Sequence, residues 1–310
     1  MDGAEYRVSR YDGAALLLTK ELRDLARQLP RQEREMAEEI RLRAGRRPVV
    51  LLPEGEKELG SAEMTRKDLD GVLEIATQAS AYSARGSISA GYITVRGGYR
   101  IGVCGTAVVQ DGGVRGIRSV SSLAIRIARE FQGIAGGVME HVMQGGSFRS
   151  ALIVSPPGCG KTTLLRDMIR LLSDGGGAVR SEGYRVSLAD ERGEVAALWE
   201  GSPQMDVGCR TDILDACPKA EAVMMLLRSM NPQIIALDEI TAPADVTAVE
   251  TASNCGVRLL ATAHADDLGD LKTRPLYRKL LDTGVFETAV TIRKSGAGRI
   301  YRVERLVNPL

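Results

Sequence analysis

Apolar and polar positions follow two different patterns along this chain, one in each half. In the second half, four short apolar runs (SALIVS, YRVSLAD, QIIALDE and RLLATA) alternate with stretches of helical spacing. Continuous apolar strands that alternate with helices are typical of a mostly parallel sheet covered on both faces. The second half therefore predicts an α/β domain. The runs VFETAVTIRK and RIYRVERL, separated by Ser-Gly-Ala-Gly, predict a hairpin at its C-terminal end.

The first half mixes helical spacing with short alternating strands. It opens with ALLLTKELRDLARQL at helical spacing, continues with the strand-like EIRLR and PVVLL, and predicts a helix around DLDGVLEIATQASAYSA. The run GYITVRGGYRIGVCGTAVVQDGGVRGI alternates and is interrupted by Gly-Gly and Asp-Gly-Gly, which favours hairpins. We therefore expect a smaller α+β domain over residues 1–130, a linker over 131–147 and the α/β domain over 148–310.

Composition and charge exclude several classes of protein. Lys and Arg number 41 against 40 Asp and Glu, so net charge favours no particular partner. The short basic run RLRAGRR is typical of a solvated face. The chain has only three Phe, eight Tyr and one Trp for stacking on bases, so its composition disfavours nucleic acid as a partner. Five scattered cysteines without a CxxC pair fit a reducing compartment. No apolar run is long enough to span a membrane, and the N-terminus lacks the apolar core of a signal peptide. We expect a cytoplasmic protein that reaches a membrane only through a partner.

The stretch VSPPGCGKTT at 154–163 predicts a phosphate-binding loop between a strand and a helix. The usual spacing is Gly, four residues, then Gly-Lys-Ser/Thr, and here Ser155 stands in place of the first glycine. That glycine mainly shapes the turn, so serine should weaken the loop little. Lys161 is expected to bind the β- and γ-phosphates of a nucleotide and Thr162 to bind Mg²⁺. The predicted nucleotide-binding residues are Ser155, Pro156, Pro157, Gly158, Cys159, Gly160, Lys161, Thr162 and Thr163.

Polar residues follow three other strands of the predicted parallel sheet. Asp238 and Glu239 end one strand, Asp190 and Glu191 end another, and His264 ends a third. The carboxyl ends of parallel strands meet in one crevice, so Asp238 is expected in the Mg²⁺ shell and Glu239 beside the attacking water as general base. Polar groups at the other two strand ends, Asp190-Glu191 and His264, can sense the γ-phosphate or orient the attacking water, so the acidic pair is an alternative to Glu239. A helix cap for the carboxylates, or a plain strand cap for His264, would also fit the pattern.

The order and wording of these motifs resemble the stage III sporulation protein AA family, a branch of the secretion and pilus motor ATPases. The matching segments run from about residue 39 to residue 264: EIRLRAGRRP, GYITVRGGYRIGVCG, SLAIRIARE, PPGCGKTTLLRD, DERGEVA, GCRTDILDACPKAEAVMMLLRSMNPQIIALDEI and ATAHA. The sequence departs from the family at TAPAD after Glu239, where glycine is more usual.

The resemblance implies a P-loop ATPase domain of the RecA-like type that uses ATP and Mg²⁺. It also implies a homo-hexamer or other ring, and an integral membrane platform protein as partner in the mother cell of a sporulating bacterium. Motor relatives carry arginines between their two domains that reach nucleotide, and RSVSSLAIRIARE matches that segment through Arg118 and Arg126. Pairing of these two arginines with carboxylates of their own domain is the alternative.

Two functions are compatible with these motifs. The first is a cytoplasmic ATP-hydrolysing motor that energises a transenvelope, secretion-like assembly during sporulation. The second is a nucleotide-gated nucleic-acid-binding switch, which the low content of aromatic residues disfavours. Guanine specificity is not expected, because no Asn/Thr-Lys-x-Asp follows the loop.

Overall fold

The computed structural model describes residues 3–77, 91–179, 182–295 and 298–306. The chain forms two compact units. The first comprises Met1–Arg129 together with Ala197–Gln204, and the second comprises Glu130–Ala196 together with Met205–Leu310. The predicted architecture, a smaller α+β part followed by an α/β part with a mostly parallel sheet, is confirmed.

In its described residues, 3–77, 91–129 and 197–204, the first unit packs four helices and a six-stranded antiparallel sheet around an apolar core. Its helices are α1 (Gly3–Ala15), α2 (Lys20–Arg27), α3 (Arg31–Met36) and α4 (Arg66–Ala76). Its strands are β1 (Glu39–Arg43), β2 (Val49–Leu52), β3 (Gly55–Glu58), β4 (Tyr92–Val95), β5 (Tyr99–Gln110) and β6 (Gly113–Arg126). The strand order is β3-β2-β1-β6-β5-β4.

Helix boundaries in this unit follow local chemistry. The stretch ALLLTKELRDLARQL, predicted as one run of helical spacing, begins at the last residue of α1, passes through a turn that buries Leu18 and continues as α2. Helix α4 begins at a capping box, in which Thr65 Oγ1 accepts from the Asp68 N–H and the Asp68 carboxylate accepts from the Thr65 N–H. The predicted continuation of this helix beyond residue 77 lies outside the described residues.

The second unit is built on a seven-stranded sheet of order β11-β10-β12-β13-β9-β14-β15. All neighbours in it are parallel except the final pair β14 and β15. Its strands are β7 (Met143–Gln144), β8 (Ser147–Phe148), β9 (Ala151–Ser155), β10 (Val186–Asp190), β11 (Thr211–Asp215), β12 (Ile234–Leu237), β13 (Arg258–His264), β14 (Thr288–Ser295) and β15 (Gly298–Arg305). Strands β7 and β8 form a separate small hairpin.

Helices surround this sheet. They are α5 (Gly136–Val142), α6 (Lys161–Asp174), α7 (Lys219–Ser229), α8 (Pro243–Asn254), α9 (Leu268–Thr273) and α10 (Pro275–Asp282). The central strands are buried along their length, as the continuous apolar runs predict. The hairpin β14–β15 has the predicted position, and two residues of its turn, 296–297, lie outside the described part.

Two features of this unit differ from the sequence-based expectation. Strand β11 adds an edge to the parallel sheet, although TDILD lacks the continuous apolar run of the other strands. Residues 131–147, predicted as a linker, contain helix α5, in which Val138, Met139 and Val142 are buried.

Candidate functional site

The predicted phosphate-binding loop lies between the central strand β9 and helix α6. Strand β9 ends at Ser155, which is fully buried, and α6 begins at Lys161. Gly158 and Gly160 have φ angles of +71° and +96°, in the left-handed region that favours glycine. The strand–loop–helix context required of a phosphate loop is therefore present, and the N-terminus of α6 points its free N–H groups at the loop.

Lys161 is the cation of this loop, and three hydrogen-bond contacts hold its ammonium group. Its side chain is 6% exposed, and Nζ donates to the carbonyl oxygens of Ser155 at 2.9 Å and Pro156 at 3.1 Å. The third contact of Nζ is His264 Nδ1, at 2.7 Å. Burial lowers the pKa of Lys161, and the nearby charges of Glu239 and Asp238 oppose that shift. All three ammonium donors have an acceptor, so a phosphate that binds Lys161 must take the place of one of them.

Asp238 follows the last residue of β12, and its carboxylate connects the loop to strand β13 through two hydrogen bonds. Its Oδ2 accepts a hydrogen bond from Thr162 Oγ1 at 3.1 Å, and its Oδ1 accepts one from Thr262 Oγ1 at 2.8 Å. Thr262 Oγ1 also accepts from the Glu239 N–H at 2.9 Å. Strand β13, which carries Thr262, lies between β12 and β9 in the sheet. The sheet order therefore brings the two carboxylates to the phosphate loop.

Glu239 and His264 form the next part of this cluster. Glu239 Oε1 lies 3.2 Å from His264 Nε2, and Oε2 lies 3.6 Å from Arg192 Nη1. Because the Lys161 ammonium can only donate, His264 Nδ1 accepts a hydrogen bond from it, and the ring carries its own proton on Nε2, facing Glu239. Glu239 also has a φ of +45°, unusual for a residue with a side chain. A polar chain thus runs from Lys161 through His264 to Glu239.

Asp190 is buried, and its carboxylate accepts hydrogen bonds from the backbone of the loop that follows β10. Its carboxylate accepts from the N–H groups of Glu194, Val195 and Ala196 at 2.9–3.2 Å. Burial raises the pKa of Asp190, and these backbone donors act against the rise. Arg166 of α6 holds the same loop by donating to the carbonyl oxygens of Glu194 and Val195. Asp190 therefore connects the loop after β10 to the sheet.

Glu191, the other member of the acidic pair, forms an ion pair with Lys219 at the start of α7. Lys219 is 6% exposed, whereas the Glu191 side chain is 37% exposed. The hydrogen bonds and ion pairs of the described residues join Glu239, but not Glu191, to Lys161 and His264.

Arg118 and Arg126 both lie on β6 in the first unit and are exposed. Arg126 Nε lies 3.8 Å from Glu39 Oε2, the kind of pairing within one domain that the sequence left open. The pairing of β5 with β6 is irregular between the two arginines, and Ser119 has a φ of +49°. An even offset along the strand is therefore insufficient to place both side chains on one face.

The oxygen ligands at Thr162 and Asp238 fit Mg²⁺. Magnesium prefers oxygen and commonly takes one or two protein ligands, with substrate phosphates and water completing the shell. Over residues 3–77, 91–179, 182–295 and 298–306, no group of three or more His, Cys, Asp or Glu could hold a metal ion by itself. A site that shares the metal with phosphate is consistent with both observations.

Several residues of this cluster escaped the sequence analysis. Thr262 and Arg192 contact the catalytic candidates, and Lys219 neutralises Glu191. Arg299 of β15 donates from Nε to the carbonyl oxygen of Cys159 in the loop, at 2.7 Å. Thr262 could have been singled out as the polar residue inside an apolar strand. For the three charged residues the sequence holds no comparable signal.

Comparison with known proteins identifies the family. The family model of "Sporulation stage III, protein AA" matches residues 9–304. The chain belongs to this family. Stage III sporulation protein AA of Bacillus subtilis (strain 168) is 36% identical over 290 residues, which cover 93% of each chain. The family resemblance predicted from the motifs is confirmed.

Two solved structures share the fold of this chain. The pilus retraction motor PilT, solved with bound ADP, has a TM-score of 0.59 at 18% identity, over 90% of this chain and 82% of that one. The ATPase DotB of Legionella pneumophila has a TM-score of 0.57 at 13% identity, over 86% and 76% of the two chains. These likenesses confirm the RecA-like fold that the sequence predicts.

Within the described part of this family member, no helix is long and apolar enough to cross a membrane.

Proposed function

We propose that this protein is a Mg²⁺-dependent ATPase of the secretion-motor type that works in sporulation. The observation that carries the proposal is the convergence of Lys161, Thr162, Asp238, Glu239 and His264 at the carboxyl ends of β9, β12 and β13. This is the edge of a parallel sheet at which nucleotides bind. Family membership and the shared fold support the same proposal.

In this proposal the loop and Lys161 hold the phosphates of ATP. Thr162 and Asp238 hold the metal, directly or through water, and the metal supplies charge stabilisation on the phosphate oxygens when it is bound. A phosphate that takes Lys161 from His264 releases the ring at Nδ1, and the ring can then turn its Nε2–H from Glu239 toward the γ-phosphate. Glu239, hydrogen-bonded to His264 until then, becomes available to accept a proton from the attacking water.

Assembly belongs to the proposal as well. We infer a cytoplasmic ring of identical subunits, with a homo-hexamer as the expected form, docked on an integral membrane platform protein in the mother cell. In such a ring Arg118 or Arg126 of one subunit would reach the nucleotide of its neighbour, where a guanidinium stabilises the charge of the transition state. Membership in a sporulation family supports the process, and the shared fold supports the motor type.

The experiment compares steady-state phosphate release by three variants with that of the wild type. Glu239→Gln should bind ATP and lose at least about 100-fold in turnover, because the general base is gone. Asp238→Asn should require a higher Mg²⁺ concentration for half-maximal activity. Glu191→Gln should retain turnover, since the Glu191 carboxylate pairs with Lys219. Normal turnover by Glu239→Gln together with an inactive Glu191→Gln would assign the base to the acidic pair instead.

A further inference from the structure

The C-terminal hairpin brings a cation to the phosphate loop that no motif predicts. Arg299, the second residue of β15, donates from Nε to the carbonyl oxygen of Cys159 at 2.7 Å. Strand β15 pairs with β14, and β14 pairs with β9, the strand that leads into the loop. The position of Arg299 is therefore set by the sheet.

Arg299 lies directly against the backbone of Gly160. A Cβ atom added to Gly160 would lie 3.0 Å from Arg299 Nε and 3.4 Å from Arg299 Cζ. Gly160 precedes Lys161, so its N–H belongs to the stretch of backbone that would surround a phosphate. Since Gly160 has no side chain, the guanidinium can approach this part of the loop closely.

Most of the hydrogen-bonding capacity of Arg299 remains available. Nε uses one of the five guanidinium donors, and across the residues that the structure describes no carboxylate forms an ion pair with Arg299. Two other arginines of the hairpin are paired: Arg302 with Glu304 at 3.2 Å and Arg293 with Asp267 at 3.1 Å. The planar fork of arginine matches the oxygens of a phosphate group better than any other side chain does.

We propose that Arg299 binds the phosphates of the nucleotide held by its own chain, as a second protein cation beside Lys161. Anchored through Nε on the Cys159 carbonyl, its terminal nitrogens donate to phosphate oxygens at the Gly160 side of the loop. Nucleotide binding thereby pins the β14–β15 hairpin to the phosphate loop. The inference rests on the proposed function, because it presumes a nucleotide at this loop.

The test separates charge from loop support by comparing Arg299→Gln with Arg299→Lys. A glutamine amide can still donate to the Cys159 carbonyl but carries no charge, whereas lysine keeps the charge. The measurement is the Kd of a fluorescent ADP analogue and a fluorescent ATP analogue, each with Mg²⁺. We expect Arg299→Gln to weaken both about tenfold, equivalent to about 1.4 kcal/mol. Arg299→Lys, which keeps the charge but loses the planar fork, should lie between Arg299→Gln and the wild type. Arg302→Ala, on the same strand and 75% exposed, is the matched control and should bind normally.

Three results would overturn the inference. Wild-type affinity in Arg299→Gln would show that the guanidinium does not contact phosphate. Equal losses in the Gln and Lys variants would mean that Arg299 only shapes the loop, and tighter binding by Arg299→Gln would mean that Arg299 obstructs the site. Failure of the wild-type protein to bind either analogue would contradict the proposed function itself. If Lys161→Ala abolishes binding while Arg299→Gln binds normally, only the role of Arg299 is lost.

Discussion

Asp190 and Glu191 are neighbours in the chain, but their carboxylates have very different surroundings. Asp190 is 1% exposed and accepts from three consecutive backbone N–H groups, whereas Glu191 is partly exposed and pairs with Lys219. The sequence presents both as one acidic pair at a strand end. The structure separates them into a backbone acceptor and an ion-pair partner of α7.

Replacing Asp190 tests this structural role. Asp190→Ala should lower the free energy of unfolding by about 3 kcal/mol, because it removes the acceptor of the buried N–H groups of Val195 and Ala196 and of the partly buried N–H of Glu194. Asp266→Ala, at an exposed carboxylate of the same unit, should change stability by no more than about 0.5 kcal/mol. Urea denaturation of the full chain measures both. Equal stability of the two variants would contradict the role of Asp190.

Ser155 replaces the usual glycine of the loop, and the structure gives it a role in the backbone. It is the last residue of β9, is fully buried, and offers its carbonyl oxygen to Lys161. Glycine provides the same carbonyl, so we expect Ser155→Gly to change ATP affinity by less than about tenfold, or 1.4 kcal/mol. A larger change in a binding titration would mean that the serine hydroxyl itself contacts the nucleotide.

The candidate residues could be predicted where a local signal exists and not where the fold alone brings groups together. Lys161 and Thr162 follow a recognisable loop, and Asp238 and Glu239 end an apolar strand. Arg299 is more than 130 residues from the loop along the chain and reaches it only because β15, β14 and β9 are successive strands of one sheet. Neither spacing nor composition encodes that register.

At the scale of helices and strands, a strand can be predicted where its residues form a continuous apolar run. Strands β9, β10, β12 and β13 are buried apolar runs and were predicted. Strand β11 lies at the edge of the sheet, and each of its five residues is only partly buried, so it lacks such a run. Helix α5 lies within the predicted linker, where paired glycines at both ends of a short segment are typical of a connection between domains.

Helix α5 provides a test of the predicted linker. Met139 is 2% exposed in this helix, so Met139→Ala should lower the free energy of unfolding by about 2–4 kcal/mol through loss of buried volume. The adjacent Glu140 is exposed, and Glu140→Ala serves as the control, with an expected effect within about 0.5 kcal/mol. Thermal unfolding of both variants decides the matter. A flexible linker would tolerate the two substitutions equally.

At the scale of the whole molecule, the proposed motor requires cooperation between copies. Arg126 lies 3.8 Å from Glu39 of its own unit. The proposed contact of Arg126 with the nucleotide of a neighbouring subunit therefore requires an assembled ring. We predict that a mixture of Arg126→Ala and Lys161→Ala proteins recovers part of the ATPase activity that each lacks alone. Mixed rings would contain interfaces in which an intact loop faces an intact arginine.

The control for this mixture uses two variants with lesions in the same site. Lys161→Ala mixed with Glu239→Gln should show no recovery, because every nucleotide site in such a ring lacks either the lysine or the general base. Co-assembly of the mixed proteins is verified by pull-down of a tagged variant. Absence of recovery in co-assembled Arg126→Ala and Lys161→Ala proteins would show that Arg126 acts within its own chain.

The central claim is that the loop at residues 155–163 binds Mg²⁺-ATP through Lys161. Isothermal titration of the 310-residue chain with Mg²⁺-ATP tests it most directly. We predict one nucleotide per chain for the wild type and for Lys272→Ala, whose lysine is exposed in the same unit, and no detectable binding for folded Lys161→Ala. Binding of Mg²⁺-ATP to Lys161→Ala with wild-type affinity would contradict the account.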